Sequence, residues 1–210
     1  MSHWKGRSIV GLCALVLTAC AHTHMTSQLN PEATGRRFSK VLAFAIFGNL
    51  DYRKAAEERL CSKIRDESGT ECLEAEKVFF PGQYYSHDAM ARRLHDLNVD
   101  GVLALEPAGS GTSSTYLPIS SHTTGSASVS GNTVSGSSTT TTYGGYDIKK
   151  PWADYKVLLW ATADSTTVWY ATASSNGNGY AGWDDLIHSA ADKTVSELSS
   201  AGLLLRRRRR

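Results

Sequence analysis

The chain has no G-x-S-x-G elbow, no H-E-x-x-H pair and no P-loop lysine. It therefore lacks the local arrangements that hold a serine nucleophile, a catalytic zinc or a nucleotide phosphate. It has little cysteine, four residues in 210, too few to staple a small disulfide scaffold. It has one apolar run, Ile9 to Leu17, which is too short to cross a bilayer as a stable helix, and no second run approaches spanning length. It lacks a dominant charge sign, with 22 Lys and Arg against 20 Asp and Glu. Without a basic surface interleaved with aromatics, nucleic acid is a poor partner.

What is present starts at the amino terminus. MSHWKGRSIVGLCALVLTAC opens with Lys5 and Arg7 and continues into the apolar run, the layout of an export signal. The run ends in Leu17-Thr18-Ala19-Cys20, which resembles the lipobox of bacterial lipoproteins, where the cysteine thiol receives a diacylglyceryl group. On this reading residues 1–19 are removed and Cys20 becomes the lipidated first residue. An ordinary cleaved signal, or a buried amino-terminal helix with an incidental cysteine, is the alternative. Ala21 stands where inner-membrane retention favours Asp, so the resemblance implies the outer membrane, periplasmic face. Residues 20–37 read as the lipidated cysteine and a tether.

About 190 residues remain after the signal, enough for one domain with its own core. Cys13 leaves with the signal and Cys20 is acylated, so Cys61 and Cys72 are left. Two thiolates without nearby ligand histidines cannot fill a tetrahedral zinc shell, and an exported pair favours a disulfide over two separate buried thiols. Loss of Lys5 and Arg7 leaves the mature chain neutral. Arg206 to Arg210 hold five of its positive charges, so the body is net negative. This tail either attracts anionic lipid or an acidic partner, or is solvated and complements the carboxyl end of the last helix.

KVLAFAIFGN, residues 40–49, is apolar on both faces and reads as a central strand. A helix over about 51–66 follows, with Tyr52, Ala56, Leu60 and Ile64 on one stripe. EKVFFPG predicts a short strand ended by Pro81-Gly82. Ser86 offers an N-cap to a helix with Met90, Leu94 and Leu97 inward, and GVLALEP is a third strand. The order β-α-β-α-β implies a mixed sheet with parallel pairs and right-handed crossovers. Residues 153–173 predict a β-hairpin turning at Asp164 to Thr166, with Trp160 and Trp169 nearby. An amphipathic C-terminal helix carries Ile187, Ala190, Ala191, Val195 and Leu198. The whole is an α/β domain over 38–205 with an insertion at 108–150.

That insertion is a Ser/Thr/Gly tract. Outward from Gly131-Asn132 its flanks mirror one another: Val129 with Val134, Ser128 with Ser135, Ala127 with Gly136, Ser126 with Ser137. Gly-Asn is a two-residue hairpin turn and mirrored flanks suit cross-strand pairing, which favours a protruding two-stranded arm over a disordered loop. So few apolar side chains make an isolated ribbon marginal in water, a reason to suspect a contact surface.

Taken together, LTAC, KVLAFAIFGN, the insertion ending TTTTYGGY, the run PWADYKVLLWATADSTTVWYATASSNGNGYAGWDDLI and KTVSELSSAGLL resemble a family of small bacterial envelope lipoproteins. The fold of that family is similar to the amino-terminal domain of TolB, the penicillin-binding-protein activator lipoproteins and the curli secretion lipoprotein. The resemblance covers about 38–205 and implies a non-catalytic adaptor or assembly role. The curli pore crosses the membrane with hairpins of alternating apolar residues. Here 120–142 offers only Ala127, Val129 and Val134 as apolar side chains, too few for a lipid-facing barrel.

Other chemistry is thin. GNGYAG at 177–182 satisfies G-x-G-x-x-G, but no second parallel strand can follow it, and Asp184 and Asp185 would repel a pyrophosphate. His87-Asp88 and His95-Asp96 are adjacent pairs whose side chains point apart on a helix. His22 and His24 sit in the tether, with too few fixed ligands for a metal. Val129, Asn132, Val134, Tyr143 and Tyr146 are the candidate partner-binding residues, on and beside the arm. The sequence thus predicts a non-enzymatic binding or adaptor module without cofactor or metal. Lipid holds it to the membrane, and its partner is an envelope protein or the cell wall. An enzyme or small-molecule sensor with a cleft at the strand ends is the alternative, and a self-assembling ring is a third reading.

Overall fold

The computed structural model describes residues 20–207. The expected signal segment 1–19 lies outside them, as do Arg208 to Arg210. Six strands form one mixed sheet: β1 (Ala21–Leu29), β2 (Lys40–Ala45), β3 (Glu71–Glu74), β4 (Gly101–Ser130), β5 (Thr133–Ala161) and β6 (Thr167–Gly177), in the spatial order β1-β6-β5-β4-β2-β3. β2 runs parallel to β3 and β4, and the remaining pairs are antiparallel. The expected α/β class, mixed sheet and C-terminal helix are all present.

One face of the sheet carries the core. Helices α1 (Leu50–Glu67) and α4 (Trp183–Ser200) pack there side by side. α1 starts where the Asn49 side chain accepts from the Asp51 and Tyr52 amides, and it buries Ala56, Leu60, Cys61 and Ile64 at helical spacing. α4 buries Leu186, Ile187, Ala190, Ala191, Val195 and Leu198. They meet the alternate residues Val157, Leu159 and Ala161 of β5, and each fully buried Leu or Ile contributes about 1.5–3 kcal/mol. Arg59 grips Asp192 with two hydrogen bonds of 2.7 and 2.6 Å, locking α1 to α4 at the surface.

Cys61 and Cys72 are joined in a disulfide that ties α1 to β3. The expected strand at EKVFFPG is displaced. The strand is Glu71–Glu74, which pairs with β2 and buries Cys72 and Glu74, while Ala75–Val78 forms a one-turn helix, α2. The reason is tertiary: the buried Glu57 carboxylate accepts the Glu76 amide at 2.8 Å and so caps that turn.

A second difference concerns residues 20–37. They are not a slack tether: Ala21–Leu29 is the edge strand β1, paired along its length with β6 and fastened by Thr23, whose hydroxyl meets those of Ser175 and Ser189. Alternating small and polar residues suit an edge strand with one half-buried face, and Thr23 and Met25 are the buried positions.

Candidate functional site

Two features stand out from the body. The first is the arm. β4 and β5 do not stop at the insertion; each runs through it without a break, the expected third strand being the inner end of β4 and the expected hairpin being formed by the inner end of β5 with β6. The turn lies at Gly131-Asn132, and the mirrored positions pair as the sequence suggests: Val129 with Val134, Ser128 with Ser135, Ala127 with Gly136 and Ser126 with Ser137. Gly131 has a φ of 61°, the left-handed conformation that this turn requires. Beyond Gly111 the ribbon continues for 19 residues per strand, which gives a reach of about 60 Å at 3.3 Å per residue.

The arm is held together by its backbone ladder and by hydroxyl pairs, Thr123 with Thr140 at 2.9 Å and Ser128 with Ser135 at 3.0 Å. At its root Trp152 lies across Gly111, where a Cβ would meet the indole at 2.9 Å. Further out the Tyr116 ring covers Gly145 and its hydroxyl donates to the Gly144 carbonyl at 2.8 Å. Aromatic cover over glycine gives a thin ribbon the packing that it lacks elsewhere. Tyr116 and Tyr143 on one face of the ribbon and Ile119 and Tyr146 on the other are exposed between about a quarter and half of the way out, and Val129 and Val134 are exposed at the tip, as is Asn132.

The second feature is a cavity of about 430 Å³ on the opposite face of the sheet from α1 and α4. Helix α3 (His87–Asp96) roofs it, capped as expected by Ser86, whose hydroxyl accepts from the Ala89 amide. Of the expected inward residues, Leu94 and Leu97 pack against the small cluster of Leu42, Ala75, Phe79, Val99 and Val102, whereas Met90 remains exposed. α3 buries none of its residues fully, and Met90 and Leu94 line the space beneath. Leu42, Phe44, Val102 and Trp160 form the floor, and the Phe79–Tyr85 loop forms one wall.

Arg53 enters this cavity from α1. Its Nε donates to Glu57 Oε1 at 3.0 Å, and its guanidinium carbon sits 5.2 Å from the Phe44 ring centroid. Glu57 is completely buried and also accepts the Ala45 and Glu76 amides. Burial holds its carboxyl above the ordinary range, an effect that these hydrogen bonds and Arg53 oppose. The sequence reading missed Arg53 and Glu57. Their spacing of four on a helix was visible, but it also suits a solvated ion pair. The aromatic density of FFPGQYY was the other available signal.

His87 reaches the rim of the cavity, yet it faces no carboxylate inside it. Its nearest acid is Asp88 at 3.9 Å, and both side chains are more than four-fifths exposed. His95 and Asp96 stand equally in solvent at 3.8 Å. Neither pair is an acid-base dyad. GNGYAG forms the strand-to-helix turn, with the Gly182 amide donating to the Asp185 carboxylate at 2.8 Å, so an acid occupies the helix start that a phosphate would need. His22 and His24 are exposed on β1, and no group of three metal-ligating side chains occurs among the described residues.

Cys20 is exposed at the head of β1, and its carbonyl accepts the Asn178 amide at 3.1 Å. The Arg tail begins at the other end of the sheet. Arg207 donates to the Asp66 carbonyl at 2.6 Å, so it complements the carboxyl end of α1 rather than that of the last helix. Among the described residues no helix is long and apolar enough to cross a membrane.

No family model and no curated protein matches the sequence. Among solved structures the chain is similar to the PelC dodecamer from Paraburkholderia phytofirmans, at 13% identity over 88% of this chain and 99% of that one, with a TM-score of 0.48. It is similar also to a dodecamer of a single-substitution variant of the same PelC, at 13% identity over 85% and 97%, with a TM-score of 0.46.

Proposed function

We propose that this chain is a lipid-anchored, non-enzymatic binding module of the bacterial outer membrane, on its periplasmic face, that engages an envelope partner through its arm. The observation that carries the reading is the arm itself. About forty residues are committed to a ribbon that contributes nothing to the core and presents Tyr116, Tyr143, Tyr146 and the valine tip to solvent. Exposed aromatics clustered on a projecting element suit a contact surface. The lipobox-like LTAC supports the anchor. β1 starts directly after Cys20, so a lipid on this residue would hold the body close to the bilayer without slack.

The test is site-specific photo-cross-linking in intact cells from Asn132 and Tyr143, with Glu58 on the exposed face of α1 as control. The reading expects a discrete adduct from both arm positions and none from Glu58. No adduct from the arm, or the same smear from all three positions, overturns it.

The cavity favours a second reading, small-molecule sensing, because its volume falls within the range of about 300–1,000 Å³ typical of ligand sites. It lies on the face of the sheet under α3 rather than at the strand ends.

A further inference from the structure

The cavity under α3 is built from two kinds of surface. Its floor and roof are apolar: Leu42, Phe44 and Trp160 below, Met90 and Leu94 above. At one end stands a single cationic side chain, Arg53, only 17% exposed. A guanidinium partly withdrawn from water is costly unless it is held and paired, and Arg53 is held twice, by Glu57 through Nε and by the face of Phe44. Glu57 cannot turn away to release it, because both its oxygens are fixed by backbone amides, Oε1 by Ala45 and Oε2 by Glu76. The two terminal nitrogens of Arg53 have no hydrogen-bond partner among the described residues. Guanidinium nitrogens donate and cannot accept, so what completes them is an acceptor, and an oxyanion does so best.

The rim adds a second constraint. Phe80 is 73% and Tyr84 90% exposed, and both continue the apolar lining outward on the loop that turns at Gly82, where φ is 84°. Large exposed aromatics beside a cavity extend the surface available to an apolar body. The volume suits one small molecule rather than a folded segment. The arm leaves the body at Gly111 and the tail at Leu205, neither of which lines this cavity.

We propose that the cavity is a binding site for a small amphiphile with an apolar body and one anionic head, its body lying between Trp160 and Leu94 and its head on Arg53. This inference rests on the cavity alone, so the anchor and the arm can fail their own tests without touching it. It names the ligand class for the sensing reading.

The test is titration calorimetry of the full chain with dodecanoate below its micelle concentration and dodecanol below its solubility limit. The pair has equal chain lengths and differs in the head. The wild-type chain binds dodecanoate in one saturable step, about tenfold tighter than dodecanol, as a charge-assisted hydrogen bond requires. Arg53→Gln brings the two affinities together by weakening dodecanoate alone. Ala91→Trp, which fills the cavity from α3 without touching Arg53 or Glu57, abolishes both. No saturable dodecanoate binding, equal wild-type affinities, or undiminished binding by Ala91→Trp overturns the proposal. Should Arg53→Gln fail to fold, the wild-type ratio and Ala91→Trp decide alone.

Discussion

His22 and Trp152 flank Asn176 on its two sides, one in β1 and the other in β5. Trp152 in turn pairs with Gly111, the last β4 residue before the arm. The proposed lipid attachment at Cys20 and the root of the arm therefore sit at the same end of the sheet, about three strand spacings apart, or roughly 15 Å. Were Cys20 lipidated as proposed, the root of the arm would lie near the membrane surface.

Because the arm shares no side chain with the core, removing it should leave the body intact. Replacing residues 113–149 by a Gly-Asn turn is expected to change unfolding stability by under about 1 kcal/mol, since an isolated ribbon contributes little. Chemical denaturation of the two chains measures this.

Glu57 is a buried joint at the carboxyl end of β2, serving Arg53, β2 and α2 together. Glu57→Ala strips one acceptor from three donors and is expected to cost about 3–5 kcal/mol. Glu57→Gln keeps an acceptor oxygen and should cost less. Denaturant midpoints at neutral pH separate the two.

The class and most of the elements were legible because their determinants are local. Ser86 caps a helix, the Leu60 and Ile64 stripe is periodic, and the Gly131-Asn132 mirror announces its own pairing. What was not legible depends on distant partners. β1 is a strand because β6 offers it an edge, and α2 is a helical turn because Glu57 caps it from nineteen residues away. The cavity was hidden for a related reason. The spacing of Met90, Leu94 and Leu97 says which face of α3 is apolar, but not that a cavity is left beneath it.

The Cys61–Cys72 bridge closes a short loop between α1 and β3, with eleven residues of sequence separation. Chain entropy predicts a loss of about 2–3 kcal/mol on its removal. Urea unfolding with and without a thiol reductant should show that difference, and the Cys61→Ser/Cys72→Ser chain should match the reduced protein.

Arg36 and Asp164 join the segment before β2 to the β5–β6 turn, with bonds of 3.2 and 2.6 Å. The Arg36 hydrogen bonds, with the Thr166 amide, hold the Asp164 carboxyl well below the ordinary carboxylate range. The unfolded chain thus binds this proton at higher pH than the folded one. The stabilisation is present above about pH 4 and is lost as pH falls below it. Asp164→Asn should be less stable than wild type at pH 6 and should lose less on acidification to pH 2, as followed by circular dichroism.

Arg207 is fixed at the end of α1, across the sheet from Cys20. Deleting Arg206 to Arg210 should therefore leave membrane attachment unchanged at low salt, where surface electrostatics is strongest. Flotation of cell membranes reports it.

Metabolic labelling with a palmitate analogue, comparing the wild-type chain with Cys20→Ser, tests the account most directly. The account predicts a labelled wild-type protein that floats with outer membranes, and an unlabelled variant that does not. An unlabelled wild-type protein, or equal flotation of both, would contradict it.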